Sequence, residues 1–167
     1  MSDTPAPSDR QLVDFLRRSY HAVDGLWFLK AEERGGFEEA LELDRAVWAV
    51  LAKIQARKAR ELTGRAGNAP EDLGECFALK LTADGHEFAV DVSGEGVRFA
   101  IRGCPWLELL RRSGRLCIAQ QVAEAICLSE GGAWCAEFGE GYEFEMPEMA
   151  CCGGESCVMR FSRRPSP

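Results

Sequence analysis

Residues 76–101 read CFALKLTADGHEFAVDVSGEGVRFAI, and the fold turns on how that stretch is taken. Phe77, Leu79 and Leu81 alternate with Ala78, Lys80 and Thr82, the period of two shown by a half-buried strand. Asp84-Gly85 follows as a two-residue hairpin signal, because a type I′ turn needs positive φ at both positions. Phe88, Val90 and Val92 continue the alternation. After Ser93-Gly94-Glu95-Gly96, a third strand puts Val97, Phe99 and Ile101 on one face. The stretch predicts an antiparallel meander with one face buried and the other wet.

Upstream the period is 3.6. Ser8 with Gln11 forms a capping-box pattern, and Leu12, Phe15, Leu16, Ser19, Val23, Leu26 and Trp27 then recur at three- and four-residue steps. Gly35-Gly36 ends this first helix. A second runs from Phe37 to about Leu62, with Leu41, Val47, Trp48, Leu51, Ile54 and Leu62 as its buried stripe. Downstream, Pro105 suits the first position of a helix reaching Arg112, and Ser113-Gly114 stops it. Another helix covers roughly 115–129, ended by Gly131-Gly132. Tyr142, Phe144 and Met146 then mark a strand, and 157–161 its hairpin partner across Gly153-Gly154. The prediction is an α+β domain over residues 8–162: two N-terminal helices, an antiparallel β-meander, two helices, and a C-terminal β-hairpin on the same sheet. Residues 1–7 and 163–167 read as disordered tails.

The 167 residues fit one domain, and the formal charge of −7 disfavours nucleic acid and anionic membranes as partners. The opening MSDTPAPSD has no basic cluster followed by an apolar run, and no segment approaches the ~20 apolar residues of a membrane span. The expected compartment is the cytoplasm and the expected partners are small molecules, with a homodimer left open. In a reducing compartment the eight cysteines point to thiols or metal ligands rather than disulfides.

Cys104 precedes Pro105 at a helix N-terminus, where free N–H groups favour a thiolate; it suits a ligand, a nucleophile, or an ordinary helix entry. Cys151, Cys152 and Cys157 flank Gly153-Gly154 in CCGGESC, a hairpin able to present two sulfurs to a soft metal. Cys127 is expected near a helix C-terminus, where the dipole disfavours a thiolate. Cys76, Cys117 and Cys135 share no spacing and read as structural thiols. His21 stands three residues before Asp24, a pair that could serve Cys104 only if the fold joins them, and His86 reads as a solvated turn residue. Arg102, Arg111, Arg112, Arg115 and Arg160 crowd the cysteine-bearing region and could hold an anion.

The strings DGLWFLKAEE (24–33), ALELDRAVW (40–48), KIQARK (53–58), CPWLELLRRSGR (104–115) and C-x-G-x-x-x-C-x-x-R-F (151–161) resemble a family of uncharacterised bacterial proteins. That family is similar to L-2-amino-thiazoline-4-carboxylic acid hydrolase-like domains, and the closing hairpin resembles 4-vinyl reductase-like domains. The resemblance implies a four-cysteine metal site of Cys104, Cys127, Cys151 and Cys157, with Cys152 as the neighbour that could replace Cys151. It also marks Asp24, Trp27, Asp44, Trp48 and Arg57. Of these, Asp24, Trp27, Trp48 and Arg57 are expected to line a ligand pocket, against an internal pairing of Arg57 with Asp24 or Asp44 and core roles for the tryptophans. Four thiolates without histidine imply Zn²⁺ or an Fe–S cluster. The expected function is a small-molecule-binding or sensory domain. The alternative is hydrolysis of a small cyclic amidine or thiazoline by Cys104 or a metal-bound water.

Overall fold

The computed structural model describes residues 6–139 and 141–164. Of the expected tails, residues 1–5 and 165–167 lie outside the described residues. The chain divides into two compact units, residues 1–40 and 41–167.

The first unit is essentially one helix, α1 (Asp9–Gly35). Ser8 caps it as the sequence requires: its hydroxyl accepts the Gln11 N–H at 3.3 Å and the Gln11 side chain accepts the Ser8 N–H at 2.8 Å. Gly36, at φ +86°, closes the helix by donating its N–H to Glu32 O. The apolar stripe of α1 stands in solvent. Phe15 and Trp27 are each 69% exposed, and Leu12, Leu16, Val23 and Leu26 are exposed as well. A core role for Trp27 is therefore corrected: a unit holding little besides one helix has no apolar surface of its own with which to cover that stripe.

α2 (Phe37–Thr63) carries the chain into the second unit. There follow α3 (Pro70–Asp84), β1 (Glu87–Ser93), β2 (Gly96–Gly103), α4 (Pro105–Arg112), a 3-10 turn (Leu116–Ile118), α5 (Ala119–Glu137), β3 (Tyr142–Glu148), a second 3-10 turn (Ala150–Cys152) and β4 (Cys157–Arg163). The four strands form one antiparallel sheet in the order β1-β2-β4-β3, so the C-terminal hairpin shares the sheet of β1 and β2. The fold is α+β. β4 runs to Arg163, one residue past the expected end of the domain.

The meander has two strands rather than three, because residues 77–81 are helical. Pro70 occupies the first turn of α3, and the Asp72 carboxylate accepts the Ala69 N–H at 3.1 Å. Leu73, Cys76, Phe77, Lys80, Leu81 and Asp84 are then buried, a 3-4 spacing that is helical throughout. Two members of that stripe are charged, which hides it from a hydrophobicity count and leaves the chance alternation of Phe77, Leu79 and Leu81 in view. Asp84-Gly85 is correspondingly a helix end and not a hairpin turn. Gly85 sits in the left-handed region at φ +89° and gives its N–H to Leu81 O, while the His86 N–H follows to Leu81 O at 2.9 Å.

Phe77 is the centre of the core. Its ring lies 5.1 Å from Phe99 on β2, 4.9 Å from Trp134 on α5 and 4.9 Å from Phe161 on β4. α5 also corrects its expected length, passing through Gly131-Gly132 to Glu137. Gly131 does not stop the helix; it admits the Phe144 ring of β3, with which any Cβ would collide. Among the described residues no helix is long and apolar enough to cross a membrane.

Candidate functional site

Three of the expected cysteines come from separate elements of the second unit to the same edge of its core. Cys104 is the N-cap of α4, with Pro105 behind it. Cys127 lies in the middle of α5, not near its C-terminus, because the helix runs on to Glu137. Cys157 opens β4 with its Cα opposite Ile101 of β2, three residues before Cys104. All three pack against the buried cluster around Phe77.

Burial pushes the Cys104 thiol up. The Leu107 amide works against it, and the nearby Cys157 adds to it. Burial raises Cys127 further still, reinforced first by Glu130 and then by Cys104. Cys157 is raised by burial too, although its sulfur accepts the Ala150 N–H at 3.3 Å. Cys151 extends the series: burial and the adjoining Cys152 push it up to about 12, with Cys157 adding a smaller part. The sulfurs of Cys151 and Cys152 are 3.8 Å apart, and Cys152 is 3.9 Å from the Met149 sulfur. All eight cysteines are free.

Beside the thiols lies a group that the pattern of residue types did not reveal. Lys80 of α3 is buried with its Nζ 2.7 Å from Glu130 Oε1 and 3.1 Å from Asp84 Oδ2. Burial alone would pull the ammonium down; the two carboxylates outweigh it and hold Lys80 above its ordinary value. Burial also holds Glu130 up, with Lys80 opposing it. Glu130 also acts on Cys127, one turn back along α5, adding to the effect of burial in raising that thiol. Trp48 of α2 closes the site, 6.0 Å from Lys80 Nζ and edge-on to Trp106 at 5.4 Å. The signal for the triad was present in the sequence: Lys80 and Asp84 stand four apart on the stripe of α3, and Glu130 stands three after Cys127.

The other expected site residues go elsewhere. Arg57, for which Asp24 or Asp44 was the expected partner, holds the Glu137 carboxylate in two bonds of 2.7 and 2.9 Å. Asp24, Trp27 and His21 belong to the first unit, whereas Trp48, Arg57 and the cysteines belong to the second. Arg111 and Arg160 serve surface pairs with Glu108 and Glu145, each at 2.6 Å. Cys76 and Cys135 are buried and Cys117 is exposed. His86 is only half-exposed.

The thiols suit Zn²⁺ or an Fe–S cluster in donor type, being soft and without imidazole. Their spacing does not yet suit either: among the described residues no three His, Cys, Asp or Glu side chains stand close enough to hold a metal ion.

Residues 8–113 match a family of unknown function, DUF6125. The chain belongs to that family. The DUF6125 match takes in α1 to α4, and so Trp48, Lys80, Asp84 and Cys104. Cys127, Glu130, Cys151 and Cys157 lie beyond it. No curated protein and no solved structure matches the chain.

Proposed function

We propose that the second unit is a small-molecule-binding or sensory domain whose responsive element is the thiol group of Cys104, Cys127, Cys157 and Cys151, loaded by a soft metal. One observation carries the reading: Cys104, Cys127 and Cys157 are delivered from a helix start, a helix middle and a strand start to within electrostatic reach of one another. Burial holds these thiols protonated, and a bound soft cation would displace the protons. Cys104, Cys127, Cys157 and Cys151 would hold such a metal, and its binding energy would add to folding. Zn²⁺ would supply a closed structural centre, an Fe–S cluster a redox-responsive one.

The test is elemental analysis of protein purified without oxygen. The expected result is about one Zn²⁺, or one brown cluster, per chain. Cys104→Ser, Cys127→Ser or Cys157→Ser should each remove it, while Cys117→Ser and Cys135→Ser retain it. Loss in both sets alike, or no uptake by the wild-type chain at pH 8, sinks the assignment. Uptake should also fall as pH drops, because protons compete for thiols whose pKa values lie above the ordinary range.

The second reading, hydrolysis of a small cyclic amidine or thiazoline-type substrate, draws on the placement of Cys104 at the start of α4 with the Leu107 and Trp106 amides near its sulfur. Its Cys104 route requires a reactive thiolate, and alkylation of Cys104 by iodoacetamide at neutral pH no faster than that of a free cysteine would exclude that route, leaving a metal-bound water as the nucleophile.

A further inference from the structure

Two patterns along α2 share a centre. Leu43, Val47, Val50 and Ile54 fall at steps of four, three and four, the spacing of a coiled-coil seam. They are 52, 51, 59 and 57% exposed. Ala46, Val47, Val50, Leu51 and Ile54 line an open apolar groove on this face. The opposite face of the same helix, Trp48, Ala52, Ala56 and Ala59, is buried, so α2 has one apolar side in use and a second in water.

The charges of α2 are segregated about the same point. Residues 37–45 hold Glu38, Glu39, Glu42 and Asp44 against a single base, Arg45. Residues 53–61 hold Lys53, Arg57, Lys58 and Arg60 against a single acid, Glu61. Between them 46–52, AVWAVLA, carries no charge. The helix dipole accounts for Glu38 and Glu39 in the first turn and Arg60 in the last. It does not account for Asp44 or Lys53, which lie further in; Glu42 and Arg57 also lie further in and pair within the chain, with Arg45 and Glu137.

We propose that this outer face of α2 packs antiparallel against the same face of a second copy of the chain, about a two-fold axis crossing the helix near Trp48 and Ala49. That arrangement sets Leu43 level with the partner's Ile54 and Val47 level with the partner's Val50, and it lays each acidic half on a basic half. A parallel pair would stack acid on acid and base on base. Self-complementarity of one patch is what an isologous two-fold interface demands. The charge plan therefore selects both the occupant and its direction.

The seam is short, below the ~800 Å² per partner of a standard interface, so the association should be reversible and visible in its concentration dependence. Sedimentation of the full chain over a wide concentration range is expected to show a monomer–dimer equilibrium. Val50→Glu, at an exposed position the monomer tolerates, should raise the dissociation constant about tenfold or more by burying an unpaired charge, with the far-UV circular dichroism unchanged. Lys53→Glu with Lys58→Glu should weaken the dimer as well. Adding Glu39→Lys and Asp44→Lys to that pair should restore it, since the complementarity returns with its sign reversed. A chain that sediments as a monomer at every concentration overturns the proposal. So does a dimer that survives Val50→Glu and is dissolved by Phe15→Glu on α1. A fourfold variant no tighter than the double one overturns the antiparallel direction.

Discussion

α1 and α3 each open on a capped first turn and each carry apolar residues at helical spacing, yet one leaves them in water and the other buries them. α1 is long, strongly periodic and exposed along Phe15, Leu16, Val23 and Trp27. α3 is short, and Leu73, Cys76, Phe77 and Leu81 are fully buried. Periodicity measures how sharply a helix divides two environments, not how deeply it lies. α1 shows its period because no charged residue interrupts Leu12, Phe15, Leu16, Val23, Leu26 and Trp27 on that face. α3 blurs its own because Lys80 and Asp84 sit on the buried stripe, satisfied by each other and by Glu130.

That contrast breaks most visibly at Lys80. Lys80→Met strands two buried carboxylates and should cost about 3–5 kcal/mol, read by urea or thermal denaturation. A variant as stable as wild type would mean that the triad is wet and α3 no more internal than α1. Gly85→Val comes next, at about 1–2 kcal/mol, because a β-branched residue is forced into the left-handed region that ends α3. The loss should appear in helical circular dichroism, which a hairpin turn at that point would not produce. Arg57→Met removes an exposed partner and should have a smaller effect with a definite pH signature. Arg57 holds the Glu137 carboxyl below its ordinary value, so the pair's contribution is present above the unfolded carboxyl pKa and disappears as pH falls through the folded one. Melting temperatures of variant and wild type should therefore differ near pH 7 and converge in acid. Phe15→Ser on α1 should change the stability of the dilute chain by less than about 0.5 kcal/mol, as exposed substitutions do.

The same physics explains what could be read from the residues alone. The Ser8–Gln11 cap, the break at Gly36, the span from Pro105 to Arg112 and the closing hairpin were legible because each rests on a local rule of backbone geometry or capping. α3 was not, since its face is completed by charges whose partner Glu130 is remote in sequence. The helix through Gly131 was not, since the glycine answers to Phe144 on another element. Of the candidate site, the soft-ligand character of the cysteines was plain from their number and the scarcity of histidine. That Cys104, Cys127 and Cys157 pack on one buried cluster depends on tertiary packing and on β4 pairing with β2, and neither is a local property.

The strand order carries a consequence for synthesis. β4 lies between β2 and β3 with both edges paired, yet it is made after every other element of its unit. A nascent chain that has delivered α2 through α5 therefore holds β2 with one edge open and Val97, Phe99 and Ile101 lacking the cover of Met159 and Phe161. Until the hairpin arrives that edge can pair with any extended segment nearby. Pauses in translation between α5 and β4 would prolong that exposure, and they mark the interval in which this chain has most need of a chaperone.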